Sequence, residues 1–285
     1  MVMNLKSIFI KSFKNIEIIL AIFRTLLAQE KYKIVQKRGQ KRIQDLDGIL
    51  LAILYKVKTG VQWRLLPVSQ FVNCSYITIY NYFDIWVKNG LLKGLWEYSL
   101  KVYRKIHPIK FYRQSIDSTK IKAIKGGSHI GANSTDRGRN GSKLHTLIDQ
   151  NGIPLSVSLT GANISDSSQI QYLIENMIVR NNVYNKRRSI LLADAGYDSE
   201  NIRSFLLRNN YYPIIPYNKR NDKNNKRTKK LTKKEKRHYK YRIKIENSYA
   251  HLKNNRSHAF RYEVKGENFL GLTYIAFTFM IIAKL

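Results

Sequence analysis

The stretch KLHTLIDQNGIPLSVSLTGA, residues 143–162, leaves a chain little freedom in how it folds. Two runs rich in β-branched and apolar residues flank Asn151-Gly152. An Asn-Gly pair accepts the left-handed backbone that a tight turn between antiparallel strands demands, so a hairpin is predicted. Just upstream, RQSIDSTKIKAI alternates and is β-branched, which predicts a third strand. Downstream the period changes. DSSQIQYLIENMIVRN, from Asp166, reads as a capped amphipathic helix, and RRSILLADAGYD as a short buried strand ending at Asp194. SENIRSFLLRNN is predicted helical, YYPIIPY extended, and HYKYRIKIENSYAHLKN (238–254) helical again. Three leading strands followed by α, β, α, β, α amount to a mixed α/β sheet with helices on its faces.

The preceding residues carry helical periods only. Leu5, Ile8, Phe9, Phe13, Ile16, Leu20, Phe23 and Leu27 recur at steps of three and four and predict one amphipathic packing helix, in which Glu17 interrupts any signal-peptide core. DLDGILLAILYKVKTG, from Asp45, predicts a helix ended by Gly60. A short packed turn around Trp63 and Pro67 comes next, and then a helix capped by Ser75 and ended at Gly90. In that last helix Ile79, Phe83 and Trp86 form a buried face, while Ser75, Thr78 and Asn81 fall on another. A helix, a turn and a capped helix with a polar outer face is the helix-turn-helix pattern, and it makes Ser75, Thr78 and Asn81 candidate DNA contacts. The expected division is a small all-α helix-turn-helix-like domain over residues 1–110 and an α/β domain over 111–285. A basic loop, 218–238, lies inside the second.

Charge narrows the partner. The chain of 285 residues has 51 Lys and Arg against 19 Asp and Glu, a formal net charge of +32. Such an excess repels itself unless it meets an anion, and a polyphosphate backbone is the partner it suits best. Residues 219–242 alone hold 13 Lys and Arg against two acids. The single cysteine, Cys74, excludes an intramolecular disulfide and a Cys-built zinc site, and suits a reducing cytoplasm. The apolar C-terminal run FLGLTYIAFTFMIIAKL is expected to be a buried terminal helix, not a membrane span.

Three carboxylates stand out. Asp117 sits in mid-strand, where Asp is depleted and needs a cap, a salt bridge or a metal to justify it. Asp194 ends a buried strand, at the sheet edge where α/β proteins place their sites; the alternative is that it only caps the next helix, although Ser199 or Asp198 can do that equally well. Glu246 is the lone acid between Glu235 and Glu263, among Lys240, Arg242, Lys244 and Lys253. On a helix advancing ~100° per residue, Tyr239, Arg242, Glu246 and Lys253 share one face about 60° wide. A salt bridge explains Arg242 with Glu246 but not the alignment of Tyr239 and Lys253; a phosphate-reading face around a metal-binding carboxylate explains all four. Hydrolysis or transfer at a phosphodiester needs an activated oxygen nucleophile and a stabilised leaving oxygen, which two Mg²⁺ ions on carboxylates supply.

At these residues the chain resembles the DDE transposases of bacterial insertion sequences, of the IS-Five type. The resemblance runs from about Lys37 to Leu285. RGQKRIQDLDGILLAILYKVKTGVQWRLLP is similar to the family's N-terminal region. IDSTKIKA resembles the segment bearing the first Asp, RGRNGSKLHTLIDQNGIPL the Gly-x-Lys-x-His strand and turn, and LTGANISDSSQ and LADAGYDS the next two blocks. Tyr239, Arg242, Glu246 and Lys253 reproduce a Tyr-x2-Arg-x3-Glu-x6-Lys signature. The resemblance implies a ribonuclease-H-like fold with Asp117, Asp194 and Glu246 as metal triad. It also implies terminal inverted repeats and target DNA as substrate, and a synaptic homodimer. Lys143 and His145 become candidate phosphate contacts, with a plain strand Lys and His as the alternative. Ala195 and Ser165 depart from the pattern, standing where relatives often carry a basic residue and a His. The short separation of Asp194 from Glu246 leaves no room for the large β insertion some relatives have there.

The expectation is therefore a cytoplasmic, nucleoid-associated enzyme that cuts DNA with two Mg²⁺ ions, Mn²⁺ substituting, and joins the freed 3′-hydroxyl to target DNA. The alternatives are a related metal-dependent nuclease that cuts without joining, and a catalytically decayed DNA-binding remnant.

Overall fold

The computed structural model describes residues 5–12, 15–33, 45–180, 188–218 and 230–285. The chain divides into two compact units: a helical unit of 1–107 with 252–285, and a sheet unit of 108–251. The first division falls close to the expected one at 110/111. The second differs from expectation, because the last helix was expected to belong with the sheet. It groups instead with the N-terminal helices, and its composition explains why. This helix, Gly266–Ile282, is apolar on nearly every side and buries Phe269, Leu272, Ile275, Phe277 and Ile281, so it needs helices around its whole circumference.

The helical unit contains α1 (Leu5–Ser12), α2 (Ile16–Leu27), α3 (Leu46–Thr59), α4 (Tyr76–Lys88), α5 (Leu91–Ile106) and, at its C-terminal end, α10 (Gly266–Ile282). The single N-terminal helix expected from the apolar period is two helices. Asn15 adopts φ 70° between them, a left-handed conformation that Asn tolerates better than most residues. The caps of α3 and α4 are as expected. Asp45 accepts from the Gly48 N–H at 2.7 Å, Gly60 closes α3 at φ 69°, and Ser75 accepts from the Thr78 N–H at 3.2 Å. The connection between α3 and α4 spans residues 60–75, with 3-10 turns at Trp63–Leu65 and Val68–Gln70, and is far longer than the 3–4-residue turn of a compact helix-turn-helix. Helix α5 is not among the expected elements, although it buries Leu91, Leu92, Leu95, Trp96 and Leu100 and packs along α10, with Trp96 stacked on Tyr274 at 5.5 Å. No described helix is long and apolar enough to cross a membrane.

The sheet unit opens with β1 (Arg113–Lys122), β2 (Gly131–Asn133), β3 (Arg139–Ile148) and β4 (Pro154–Gly161). It continues with α6 (Ile170–Glu175), β5 (Ser189–Leu192), α7 (Glu200–Arg208), β6 (Tyr211–Ile214), α8 (Lys233–Tyr239) and α9 (Ile243–Lys253). β3 lies antiparallel between β1 on one side and both β2 and β4 on the other, and β5 and β6 add in parallel beyond β1. This mixed sheet, with an antiparallel leading set, two parallel additions and flanking helices, is the ribonuclease-H-like arrangement that was expected. The β3–β4 hairpin turns at Gly152, φ 79°. Its corner is organised by buried Asp149, whose carboxylate accepts from the N–H groups of Asn151 and Ile153 at 2.8 Å each and of Lys110 at 3.1 Å.

Two elements depart from expectation. The helix from Asp166 is a 3-10 turn followed by only Ile170–Glu175. The basic loop 218–238 is in part a helix: Lys233–Tyr239 starts from a capping box in which Thr232 and Glu235 satisfy each other's backbone N–H groups. Residues 219–229 lie outside the described residues.

Candidate acidic site

Strand parity places the two aspartates. β1 and β5 are parallel neighbours, with Ser115 opposite Leu192. One residue further along, Ile116 and Ala193 turn into a core shared with Leu147, Leu191 and Tyr197. Side chains alternate along a strand, so Asp117 and Asp194, the next residues, face the other side. Each lies two residues past the last paired position on adjacent strands. The Asp194 carboxylate accepts from the Gly196 N–H at 2.8 Å, capping the 3-10 turn Ala195–Tyr197. The next helix, α7, is capped by Ser199, whose hydroxyl accepts from the Ile202 N–H at 3.2 Å, so Asp194 is not its cap.

The helix supplies the third carboxylate. Tyr249, buried on α9, donates its hydroxyl to the Asp117 carbonyl at 2.6 Å, and Ser248 donates to the Gly152 carbonyl at 3.0 Å. These bonds fix α9 over the face that carries Asp117. Arg242, in the 3-10 turn between α8 and α9, donates Nη1 to Asp117 Oδ2 at 2.7 Å and Nη2 to Glu246 Oε1 at 3.0 Å. One guanidinium therefore bridges two of the three expected ligands. Burial raises the Asp117 carboxyl above its ordinary range; the Ser118 N–H and Arg242 oppose that rise, and the charge of Asp194 adds to it. Oxygen-only donors of this kind suit a hard divalent ion. Among the described residues, no three His, Cys, Asp or Glu side chains converge as they would around an ion. The arrangement closes on Arg242 instead.

The other expected residues fall in different places. The Tyr239 ring is half-buried against Ile190, Leu192 and Ile214. Lys253, the last residue of α9, is exposed and groups with the helical unit. Lys143 and His145 lie on the opposite side of the sheet from Asp117, because β3 pairs Thr146, not His145, with Asp117. Both are buried instead of being presented to a phosphate. Lys143 donates to the Ile164 carbonyl at 2.7 Å and lies 3.2 Å from Asp166, and His145 Nε2 is 2.7 Å from the Thr160 hydroxyl. Burial pushes the His145 imidazole down to about 4, aided by the Lys143 charge and opposed by Asp166. In the helical unit Ser75 and Asn81 are exposed, and the Ser75 and Thr78 hydroxyls lie 3.0 Å apart within the cap.

Sequence reasoning missed Tyr249 and Asp166. A signal existed for Tyr249, since a residue three positions after Glu246 sits beside it on a helix and an aromatic in so polar a segment needs a partner. Asp166 was read only as a helix cap.

Fold and site together define a basic α/β protein with an acidic centre at the ends of two adjacent parallel strands, held under a helix by a bridging arginine. Comparison with known families gives the particular kind. The family described as "Transposase DDE domain" matches residues 111–281, and "Putative transposase of IS4/5 family" matches residues 21–96. The chain belongs to the DDE transposase family. It is 40% identical over 93 residues to the "Putative transposase for insertion sequence element IS402" of Burkholderia cepacia, covering 32% of this chain and 44% of that protein. It is 34% identical over 83 residues to the "Insertion element IS402 uncharacterized 16.2 kDa protein" of the same organism, covering 29% and 55%. The chain thus spans about half the length of the curated relatives it matches. Among solved structures, the Mos1 mariner paired end complex with Mn is similar at 12% identity and a TM-score of 0.28, over 88% of this chain and 89% of that one.

Proposed function

We propose that this chain binds the terminal inverted repeats of an insertion sequence, cuts the phosphodiester at the element ends and joins the freed 3′-hydroxyl to target DNA, working as a homodimer. The observation that carries the reading is the pairing of Asp117 and Asp194 on one face of adjacent strands, linked through Arg242 to Glu246. These three carboxylates are the hard-oxygen set that two Mg²⁺ ions, or Mn²⁺, would take. When bound, such ions supply an activated oxygen nucleophile and stabilise charge on the leaving oxygen. Arg242, once released from Asp117 and Glu246, would grip a phosphate, with Tyr239 positioning the strand beside it, and Lys253 is a further proposed DNA contact. α4, with Ser75, Thr78 and Asn81 on its outer side, is the proposed reader of the repeat. The net charge of +32 supports salt-sensitive affinity for DNA, in keeping with a place in the cytoplasm at the nucleoid.

The test is Mg²⁺-dependent nicking of a duplex carrying the inverted repeats that flank the gene, followed by capture of the free 3′ ends in a target plasmid. Asp117→Asn, Asp194→Asn and Glu246→Gln should each lower nicking by on the order of a thousandfold, the effect of losing several kcal/mol of charge stabilisation. Normal cleavage by all three variants would sink the triad. Cleavage without capture would identify a nuclease that cuts but does not join, and DNA binding without cleavage would identify a decayed remnant.

A further inference from the structure

Between α8 and the faces of β5 and β6 lies a cleft of about 410 Å³, floored by Ile190 and Ile214. Its volume is that of a small-ligand site. Three aromatic rings line it: Tyr112, Tyr212 and His238. Tyr112 and Tyr212 are 48% and 44% exposed, unusual for large rings set over an apolar floor. Tyr112 meets His238 edge-on, with ring centroids 6.1 Å apart. Next to them the Arg113 guanidinium lies 3.6 Å over the Tyr241 ring and 5.5 Å over that of Tyr112, so that rings and cation form one strip. Tyr212 is held in place: its hydroxyl donates to Glu235 Oε1 at 2.8 Å, and the second Glu235 oxygen accepts from the Thr232 N–H and hydroxyl. Among the described residues, the one acid lining the cleft is therefore tied up in its wall. Two cations, Arg188 and Lys234, complete the lining, and neither makes an ion pair among the described residues. His238 Nδ1 is shielded from solvent and has no hydrogen-bond partner among them.

Exposed rings over an apolar floor, with cations at the side and no available acid among the described residues, fit a planar aromatic group attached to an anion. A base in duplex DNA has both faces already stacked and cannot use such rings; an unpaired base can. The cleft also stands on the side of the sheet that carries the acidic site. Ile190 and Asp194 share strand parity and are four residues, about 13 Å, apart, with the Tyr239 ring packed on Ile190 and Leu192 along the way. We propose that the cleft takes one unpaired nucleotide of the DNA strand held at Asp117, Asp194 and Glu246. The base stacks on Tyr112 and Tyr212, and its phosphates lie on Arg188 and Lys234. This inference rests on the reading that the acidic site handles DNA.

The experiment uses the full-length, metal-free protein, so it does not depend on cleavage. Two duplexes with the same paired sequence carry 2-aminopurine, a blunt one within its paired region and the other in a short single-stranded overhang. Affinity is read by anisotropy, stacking by quenching of the 2-aminopurine. The wild type should bind the overhang more tightly and quench it. Tyr112→Ala with Tyr212→Ala should reduce overhang affinity on the order of tenfold, the loss of stacking for one base, and leave the blunt duplex unchanged. Tyr212→Phe, which keeps the ring, should keep the quench. If the alanine pair does not fold, Arg188→Gln with Lys234→Gln carries the same expectation for the overhang. Equal binding of both duplexes by the wild type, or an overhang preference that survives these variants, overturns the proposal alone. Binding of neither duplex overturns it together with the DNA-handling reading.

Discussion

Lys56 with Glu263 in the helical unit, and Arg242 with Asp117 and Glu246 in the sheet unit, are both ion pairs drawn from distant parts of the chain. They are built differently. Lys56 Nζ lies 3.2 Å from Glu263, each side chain is 5% exposed, and the ammonium sits 4.8 Å over the Trp63 ring. Arg261, fully buried beside them, spends donors on the carbonyls of Glu263 and Val264. Fully buried His258 bonds to Ser257 and Thr273. This centre pairs its carboxylate with a buried ammonium, with the Arg261 guanidinium beside it, and is closed to solvent. In the sheet unit one cation serves two carboxylates, with Asp194 adding a third acid to the same face, and Glu246 is 50% exposed. The closed pair is sealed from solvent, whereas the open centre, with more carboxylates than cations, is where we propose an exchangeable cation binds.

Removing one partner from each centre should have unequal effects. Lys56→Ala removes the ammonium paired with buried Glu263, leaves it only the Arg261 charge nearby, and should cost about 3 kcal/mol of unfolding free energy in urea titrations. Asp117→Asn, which removes a carboxylate already raised by burial, should cost less than about 1 kcal/mol by the same measurement. Similar losses in the two variants would mean that the centres do not differ as argued.

Acid should act on the closed centre first. Burial, together with the nearby Lys56 charge, pushes the His258 imidazole down to about 3, so the folded protein keeps it neutral. The unfolded chain binds a proton near the ordinary value of about 6.5, so stability is complete above that pH and is lost as pH falls toward 3. Between pH 7 and pH 5 the loss due to His258 should reach about 2 kcal/mol, beside a similar loss from buried His145, and His258→Gln should make that part of the profile about half as steep. A wild-type profile that is already flat there would contradict the burial argument.

The smallest expected effect sharpens the open centre. Arg242→Gln removes the competing guanidinium and should tighten Mn²⁺ binding to the DNA-free protein by about tenfold, roughly 1.4 kcal/mol, as read by the free Mn²⁺ signal in electron paramagnetic resonance. Weaker Mn²⁺ binding would mean that Arg242 supports the site instead of occupying it.

Local chemistry made much of this fold legible. Asn151-Gly152 specified its hairpin, and Asp45, Gly60, Ser75 and Ser199 ended or began helices as their side chains and backbone freedom predict. The Thr232–Glu235 capping box was also present in the sequence, but the density of lysines around it suggested a loop. The continuous helix expected over 238–254 ignored the 3-10 turn at Lys240–Arg242, the turn from which Arg242 reaches Asp117. Lys143 and His145 could not be placed, because β3 buries both of its faces and alternation alone then says nothing about which side a residue takes.

Neighbours within a turn or two of the chain set most of the strands and helix caps, the turn chemistry, the charge and a short list of unusual carboxylates. The tertiary structure decided which of those carboxylates meet. Arg242 and Asp117 are 125 residues apart, and they touch because β5 adds in parallel beside β1 in one register and Tyr249 anchors α9 above it. A slip of one residue in that register would turn Asp194 into the core and leave Asp117 alone on its face.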